Sequence, residues 1–359
     1  MVLKKYMALA FGDKSTLFLS KLNKLYALDI INMEIREVFH FKSDALTFIS
    51  SFSSVLRRLF RKDIRMALNI DSENLILVKD NAIYRLDTKS KEIKGKVMLP
   101  RGSRPLNITK VELLKGFDDG IYFGEYFSNP LKKSVKILKY ADQNELITVY
   151  EFPEGVMNHI HNLVVDYFRD CIWVLAGDTD DGAAIYQIKN NFKTVERVVF
   201  GHQQYRACVL FPLKSGLLYA TDSQYESNSI RILTERENGW VSEHVYDING
   251  PCIFGTKIED TYYFSTSVEG LSSGNILKRI FNNKRGPGVK ENQSVIIAGN
   301  LEKGFKTIYN NKKDIFPYML FQFGNIVFPS GVNLSGKLFF TNIALQKNDF
   351  STNILKYEI

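Results

Sequence analysis

Short runs of residues that alternate between apolar and polar dominate this chain, and Gly, Asn and Asp separate the runs. A period of two over about four to eight residues is typical of β-strands with one packed and one solvated face. Pairs of these runs recur at intervals of about 45 to 50 residues, which is the length of a four-stranded propeller blade. The pattern therefore predicts an all-β fold, a β-propeller of seven blades, with six blades as the alternative.

The clearest repeats contain a second and a third strand whose starting positions can be read from the sequence. These pairs begin at residues 120 and 134, 171 and 183, 216 and 229, and 261 and 275. A looser pair, from residues 337 and 353, ends the chain on a third strand. We therefore expect an N-terminal strand to complete the last blade, which gives a single propeller domain over residues 1–359.

One segment, residues 43–62, departs from the alternating pattern and has apolar residues at helical spacing. These apolar residues are Leu46, Ile49, Phe52, Leu56, Leu59 and Phe60. Ser43 or Asp44 can cap the helix, and four cations crowd its C-terminal end, where they match the helix dipole. We predict an amphipathic helical insertion packed outside the ring. The alternative is an interfacial helix in peripheral contact with an anionic membrane.

Composition and charge narrow the class of protein. The three cysteines lie in apolar runs, so we expect buried free thiols and no disulfide framework. No run of about eighteen apolar residues is present, and the short apolar N-terminal stretch soon meets Asp13 and Lys14. These features predict a cytoplasmic protein, with the inner-membrane face as an alternative location. The net charge of +8 favours acidic partners, but the scattered lysines indicate no nucleic-acid track.

The most distinctive polar residues follow or precede strands at corresponding points of consecutive repeats. In a four-stranded blade, the loops after second strands open on the same face as the links into first strands. The residues that end second strands or their loops are Glu125, Asp178, Asp222 and Glu226. Those that enter first strands are His159, His161, His202, Tyr205 and Arg206. We expect this set to form one polar rim, although Asp178 and Asp222 could instead cap their own hairpins.

The histidines allow two kinds of chemistry. His159, His161 and His202 with a carboxylate offer nitrogen and oxygen ligands for a divalent metal, the one cofactor that the sequence suggests. Alternatively, removal of the proton beside a uronate carboxylate needs a base, an acid and a neutralising cation. His159 or His161, Tyr205 and Arg206 are the candidates for those three roles.

The remaining polar residues of the rim are candidates for substrate binding or for a different reaction, glycoside hydrolysis. We assign substrate contacts to Glu125, Asp178, His202, Asp222 and Glu226. Asp178 with Asp222 or Glu226 could also supply the two carboxyl groups of a glycoside hydrolase.

The order of these motifs resembles a known group of proteins. A His-x-His, a Trp-containing strand ending in Gly-Asp, a Tyr-Arg pair and a Thr-Asp-Ser strand end lie within residues 154–230. This arrangement resembles sialidase-like (BNR-type) bacterial propellers and, more distantly, the seven-bladed polysaccharide lyases that act on uronate-containing polymers. The resemblance implies a carbohydrate-active propeller that cleaves an acidic polysaccharide by β-elimination. The alternative is a non-catalytic scaffold that binds a glycan or protein in bacterial surface-polysaccharide assembly.

Overall fold

The computed structural model describes residues 1–13, 15–141, 144–270, 280 and 284–356. Within these residues, seven antiparallel sheets of four strands each define a seven-bladed β-propeller. The chain divides into two compact units, Met1–Lys96 with Asn249–Ile359, and Val97–Ile248. The prediction of an all-β propeller with seven blades is therefore confirmed.

The first unit begins with a short strand and the first two blades. The strands are β1 (Val2–Leu3), then β2 (Met7–Phe11), β3 (Thr16–Lys21), β4 (Lys24–Asp29) and β5 (Ile35–His40) in blade one, and β6 (Met66–Asn69), β7 (Asn74–Lys79), β8 (Ala82–Asp87) and β9 (Glu92–Met98) in blade two.

The second unit carries blades three, four and five. Blade three has β10 (Thr109–Val111), β11 (Gly120–Gly124), β12 (Val135–Tyr140) and β13 (Leu146–Phe152). Blade four has β14 (Ile160–Asp166), β15 (Cys171–Ala176), β16 (Ala184–Lys189) and β17 (Thr194–Phe200). After the 3-10 turn Gln203–Tyr205, blade five has β18 (Ala207–Leu213), β19 (Gly216–Thr221), β20 (Asn228–Arg236) and β21 (Gly239–Ile248).

The first unit continues with blades six and seven. Blade six has β22 (Cys252–Ile258), β23 (Thr261–Thr266), β24 (Gln293–Asn300) and β25 (Gly304–Lys312). Blade seven has β26 (Asn325–Val327), β27 (Lys337–Ile343) and β28 (Ser351–Lys356). β1 pairs antiparallel with β28, with Val2 opposite Asn353, so the N-terminal strand completes the last blade as expected.

One predicted strand requires correction. The expected third strand of blade six, at residues 275–280, falls outside the described residues except for Ile280. The third strand of this blade is instead β24, which pairs with β23 from Tyr262 opposite Gly299 to Ser265 opposite Ile296. An apolar run alone could not identify the partner, because a longer connection than usual separates these two strands.

The burial of each strand follows its place in the blade. All six residues of β15 are buried, because neighbouring blades cover both faces of this inner strand. The outer strand β17 alternates between exposed and partly buried residues, as expected of a sheet edge that faces solvent. Trp173 lies fully buried in the apolar cluster between blades four and five, where its ring packs edge-on against Trp240.

The helical insertion is confirmed, but it contains two short helices in place of one. They are α1 (Ala45–Ser50) and α2 (Ser54–Phe60). Asp44 caps α1 by accepting a hydrogen bond from the Thr47 amide at 2.7 Å. Ser53 has an extended backbone and caps α2 by accepting from the Leu56 amide, so the first helix cannot continue through it. A third short helix, α3 (Tyr318–Phe321), lies in the same unit.

Two further expectations concern burial and the membrane. Cys171, Cys208 and Cys252 are buried and free, as predicted. Among the described residues, no helix is both long enough and apolar enough to cross a membrane.

Candidate functional site

In blades four and five, the first strand begins with a β-bulge. These two bulges determine where two of the site's side chains lie. The pairing between β14 and β15 skips His161, and the pairing between β18 and β19 skips Cys208. A bulge adds an unpaired residue and turns its side chain away from the regular alternation. His161 and Cys208 therefore occupy equivalent places in neighbouring blades.

The two imidazole rings meet at this edge of blade four. His159 and His161 are 6% and 3% exposed, and their Nε2 atoms lie 3.1 Å apart. The Nδ1 atom of His159 contacts the carbonyl oxygen of Phe127 at 3.2 Å. The Nδ1 atom of His161 contacts the carbonyl oxygen of Ala207 at 2.9 Å. The structure thus brings together the two histidines that the sequence placed on one side.

Asp178, just after β15, faces these rings. Its Oδ1 atom lies 3.4 Å from Nε2 of His159, 3.7 Å from Nε2 of His161 and 3.2 Å from the Arg206 guanidinium. Burial alone would raise the pKa of this carboxyl group. The neighbouring His159 and His161 rings and the charge of Arg206 instead hold the pKa well below its usual range. Asp178 is therefore an ionised carboxylate directed at side chains of blades four and five.

Arg206 connects Asp178 with a second carboxylate. The buried guanidinium lies 3.5 Å from Oδ2 of Asp222 and donates a hydrogen bond to the backbone carbonyl of Asp178 at 3.1 Å. The Cys208 thiol donates to the same Asp222 oxygen at 3.2 Å. The side chains of both carboxylates thus make contacts beyond their own hairpin turns, as a shared rim requires.

An aromatic residue that the sequence interpretation missed completes the group. The Tyr126 ring lies 4.3 Å from the His159 ring and 6.3 Å from the His161 ring, measured between centroids. Burial raises the pKa of Tyr126, so the phenol keeps its proton at neutral pH. We call the following side chains the histidine cluster: Tyr126, His159, His161, Asp178, Arg206, Cys208 and Asp222.

A glycine allows the strand that precedes Tyr126 to approach the histidines closely. Gly124 ends β11, and a Cβ atom at this position would lie 2.3 Å from the side chain of Ile160, between the two histidines. Only a residue without a side chain permits this approach. The sequence offered one signal for Tyr126: it directly follows Glu125, which was predicted at the end of a second strand.

The other four predicted site residues make contacts with groups outside the histidine cluster. Tyr205 packs against the apolar cluster that contains Trp240, and its ring is 6.1 Å from that of His202. His202 is exposed at the start of the 3-10 turn. Glu226 is exposed in the loop after β19, where its amide donates to the Ser223 hydroxyl.

Glu125 belongs to a separate ion pair. Arg101 donates to this carboxylate through both Nε, at 2.8 Å, and a terminal guanidinium nitrogen. The backbone amide of Lys136 also donates to it at 2.8 Å. Glu125 is therefore occupied in holding the Arg101 loop against β12, a contact that the sequence did not indicate.

The electrostatics of His161 favour a neutral ring. Burial lowers the pKa of this imidazole, and the nearby Asp178 carboxylate opposes the shift only in part. A neutral imidazole can accept a proton or bind a metal. A carboxylic acid role for Asp178 is disfavoured, because this group is already ionised and contacts Arg206. In a glycoside-hydrolase pair with Asp222, Asp178 would therefore be the ionised partner.

Two overlapping groups of side chains have the composition of metal ligands. One is His159, His161 and Asp178, and the other is His161, Cys208 and Asp222, with the ligand atoms of each group within 4.8 Å of one another. His202 belongs to neither group among the described residues.

Comparisons with known proteins support the architecture alone. No protein-family model matches the chain, and no curated protein sequence matches it. Solved structures do resemble it. The AfRom2 CNH domain is 6% identical with a TM-score of 0.57, over 100% of this chain and 96% of that chain. The Cps50 (Swd1) β-propeller domain of Myceliophteria thermophila is 8% identical with a TM-score of 0.54, over 99% and 98%.

A third neighbour is the Pan2 WD40 domain of Neurospora crassa, 8% identical with a TM-score of 0.54, over 98% of this chain and 88% of that chain. At such low identity the likeness shows the fold and no activity. The chain is thus a seven-bladed β-propeller. These neighbours lend no support to the sialidase-like or lyase resemblance.

Proposed function

We propose that this propeller is a carbohydrate-active protein that binds an acidic, uronate-containing polysaccharide at the histidine cluster. The observation that carries the proposal is the burial of charged and titratable side chains that face one another at a shared strand edge. Taking such charges out of water costs several kcal/mol, and a hairpin turn does not require it. Groups with strongly shifted pKa values at a common site are typical of binding or catalysis.

The reaction that best fits the cluster is β-elimination. His159 or His161 takes the proton from the carbon beside the uronate carboxylate, a carbon–carbon double bond forms, and the glycosidic C–O bond breaks. The leaving oxygen receives a proton from a phenol. Tyr126 fills this role in place of Tyr205, because its ring lies beside His159 and its raised pKa keeps it protonated. Arg206 is the cation nearest to the imidazoles in this scheme.

A non-catalytic binding scaffold is the second candidate, and a specific observation favours it. Both rings are less than a tenth exposed, and each of their four nitrogens already contacts a protein atom. A base in that setting must move before it can reach a carbon of a polymer. A scaffold needs no such movement.

Binding and turnover of uronate polymers test the proposal together. We expect the wild-type protein to bind such a polymer and His161→Ala to lose at least about tenfold in affinity, since a buried hydrogen-bonded group is removed. His244→Ala is the matched control, because His244 is exposed on β21 in the same unit. An elimination also raises absorbance in the unsaturated-uronate band, whereas a scaffold binds with a flat trace. Absence of both binding and absorbance across a broad panel contradicts the proposal.

A further inference from the structure

The hydrogen bonds of the imidazole pair determine which ring nitrogens carry protons. Each Nδ1 faces a backbone carbonyl oxygen, that of Phe127 for His159 and that of Ala207 for His161. A carbonyl oxygen only accepts hydrogen bonds, so each Nδ1 must carry the hydrogen. On the other side of each ring lies the Nε2 atom, which carries a lone pair when the ring is neutral.

These two lone pairs converge with a third acceptor. The Nε2 atoms lie 3.1 Å apart, and Oδ1 of Asp178 lies 3.4 and 3.7 Å from them. Three acceptors at such distances repel one another unless a positive centre lies between them. A single proton could join the three atoms only as a shared, three-centre hydrogen bond, whereas a metal ion binds each of them directly.

The three separations match the geometry of a tetrahedral metal. With bonds of about 2.0 to 2.1 Å to nitrogen and oxygen, the edge of a ligand tetrahedron is about 3.3 Å. The observed distances of 3.1, 3.4 and 3.7 Å lie on both sides of this value. Imidazole and carboxylate ligands suit zinc and neighbouring divalent transition metals.

The groups around the three atoms also fit a metal site. Metal-binding histidines usually donate their other N–H to a carbonyl or carboxylate, which fixes the ring orientation. Here the two backbone carbonyls serve in this way, and Arg206 donates to Asp178 at 3.2 Å and holds the carboxylate in place. The bulge at His161 lies between paired residues of β14 and β15, so the hydrogen-bonded sheet holds this ligand in position.

We infer that Nε2 of His159, Nε2 of His161 and Oδ1 of Asp178 bind one divalent transition-metal ion, such as Zn²⁺. The inference rests on the proposed function where the glycan is concerned, and it favours glycan binding over elimination by an imidazole base, because the ion engages the Nε2 atoms of both rings. Arg206 faces both Asp178 and Asp222, so the cluster itself supplies no net positive charge for an acidic ligand. A divalent cation supplies that charge.

The test is a calorimetric titration with Zn²⁺ of protein that lacks a histidine tag and has been stripped with a chelator. We expect one Zn²⁺ per chain, and an absorption spectrum typical of tetrahedral Co²⁺ when Co²⁺ is added instead. Loss of a hydrogen-bond partner of a ligand weakens metal affinity by about 10- to 100-fold, and loss of a ligand should cost more. His161→Ala and Asp178→Asn should therefore bind at least a hundredfold more weakly, while His244→Ala binds as the wild type does.

Two variants keep the result decisive. Asp178→Asn preserves side-chain size, so its Zn²⁺ affinity still tests the ligand set if circular dichroism shows that His161→Ala is unfolded. Cys208→Ser should retain full Zn²⁺ affinity; loss of binding in this variant would assign the ion to His161, Cys208 and Asp222 and overturn the ligand set inferred here. Folded wild-type protein that binds no Zn²⁺ or Co²⁺ overturns the inference, as does unchanged affinity in Asp178→Asn. Because the titration contains no glycan, its failure is distinct from a failure of glycan binding.

Discussion

Individual side chains at the histidine cluster show how a buried charge is tolerated in this protein. Arg206 is 6% exposed, yet it contacts two carboxylates and a backbone carbonyl. Charged groups are rarely buried without such partners, because the lost hydration must be replaced. The guanidinium thus replaces part of the hydration that Asp178 and Asp222 lose within the same small region.

Removal of this guanidinium should destabilise the fold measurably. We expect Arg206→Met to lower the free energy of unfolding by about 3 kcal/mol, near the lower end for a broken buried ion pair, because Asp178 is partly exposed. Denaturant unfolding, with His244→Ala as the control, measures the change. A difference below about 0.5 kcal/mol, the usual range for surface substitutions, would show that the ion pairs contribute little.

At the level of secondary-structure elements, the helical insertion differs most from its sequence interpretation. Arg57 and Arg58 are two of the four cations that the sequence places at the C-terminal end of the insertion, and both are buried. Arg57 pairs with Asp63, and Arg58 pairs with Asp314 and Asp349. These cations are therefore engaged within the protein, and the exposed face of the insertion is mainly apolar.

Any contact of this insertion with a membrane should consequently depend on its apolar side chains. Phe48 and Phe52 are 64% and 65% exposed, and their rings pack edge to face at 5.1 Å. Burial of a phenylalanine is worth about 1.5–3 kcal/mol, so Phe52→Glu should reduce flotation with anionic liposomes by roughly tenfold or more. High salt should change the wild-type result little, since Arg57 and Arg58 are already paired.

Ile31→Glu is a matched control for that experiment. Ile31 is 76% exposed in a loop of the same unit, so the substitution adds the same charge away from the insertion. Equal flotation of the wild type and Phe52→Glu would remove the proposed membrane contact.

The strands show which parts of the structure the sequence determines. The ends of β15 and β19 were predictable because a fully apolar strand stops at Gly177-Asp178 and Thr221-Asp222. The bulge at His161 was not, because it arises from pairing between strands and leaves no local signature. The contacts of Tyr205 were not predictable for a similar reason: this residue ends the 3-10 turn Gln203–Tyr205, and its ring packs against the apolar cluster that contains Trp173.

On the scale of the whole molecule, repetition of blades explains why residues distant in sequence come together. Within the second unit, blades three, four and five contribute Tyr126, His161 and Cys208 to one cluster, at intervals of roughly one blade. The periodic pattern predicted the blades and the edge at which polar residues gather. It did not predict which neighbours touch, because those contacts depend on side-chain direction at each strand end.

Nitrogen NMR of ¹⁵N-labelled histidine can show whether His159 and His161 are ligand-binding groups. The chain has five histidines, of which His40, His202 and His244 are exposed outside the imidazole pair. On addition of a uronate oligosaccharide with Zn²⁺ present, we expect the ring-nitrogen resonances of His159 and His161 to shift. The resonances of the three exposed histidines should not move. Unchanged His159 and His161 resonances at saturating oligosaccharide, or shifts confined to the exposed histidines, would contradict this role.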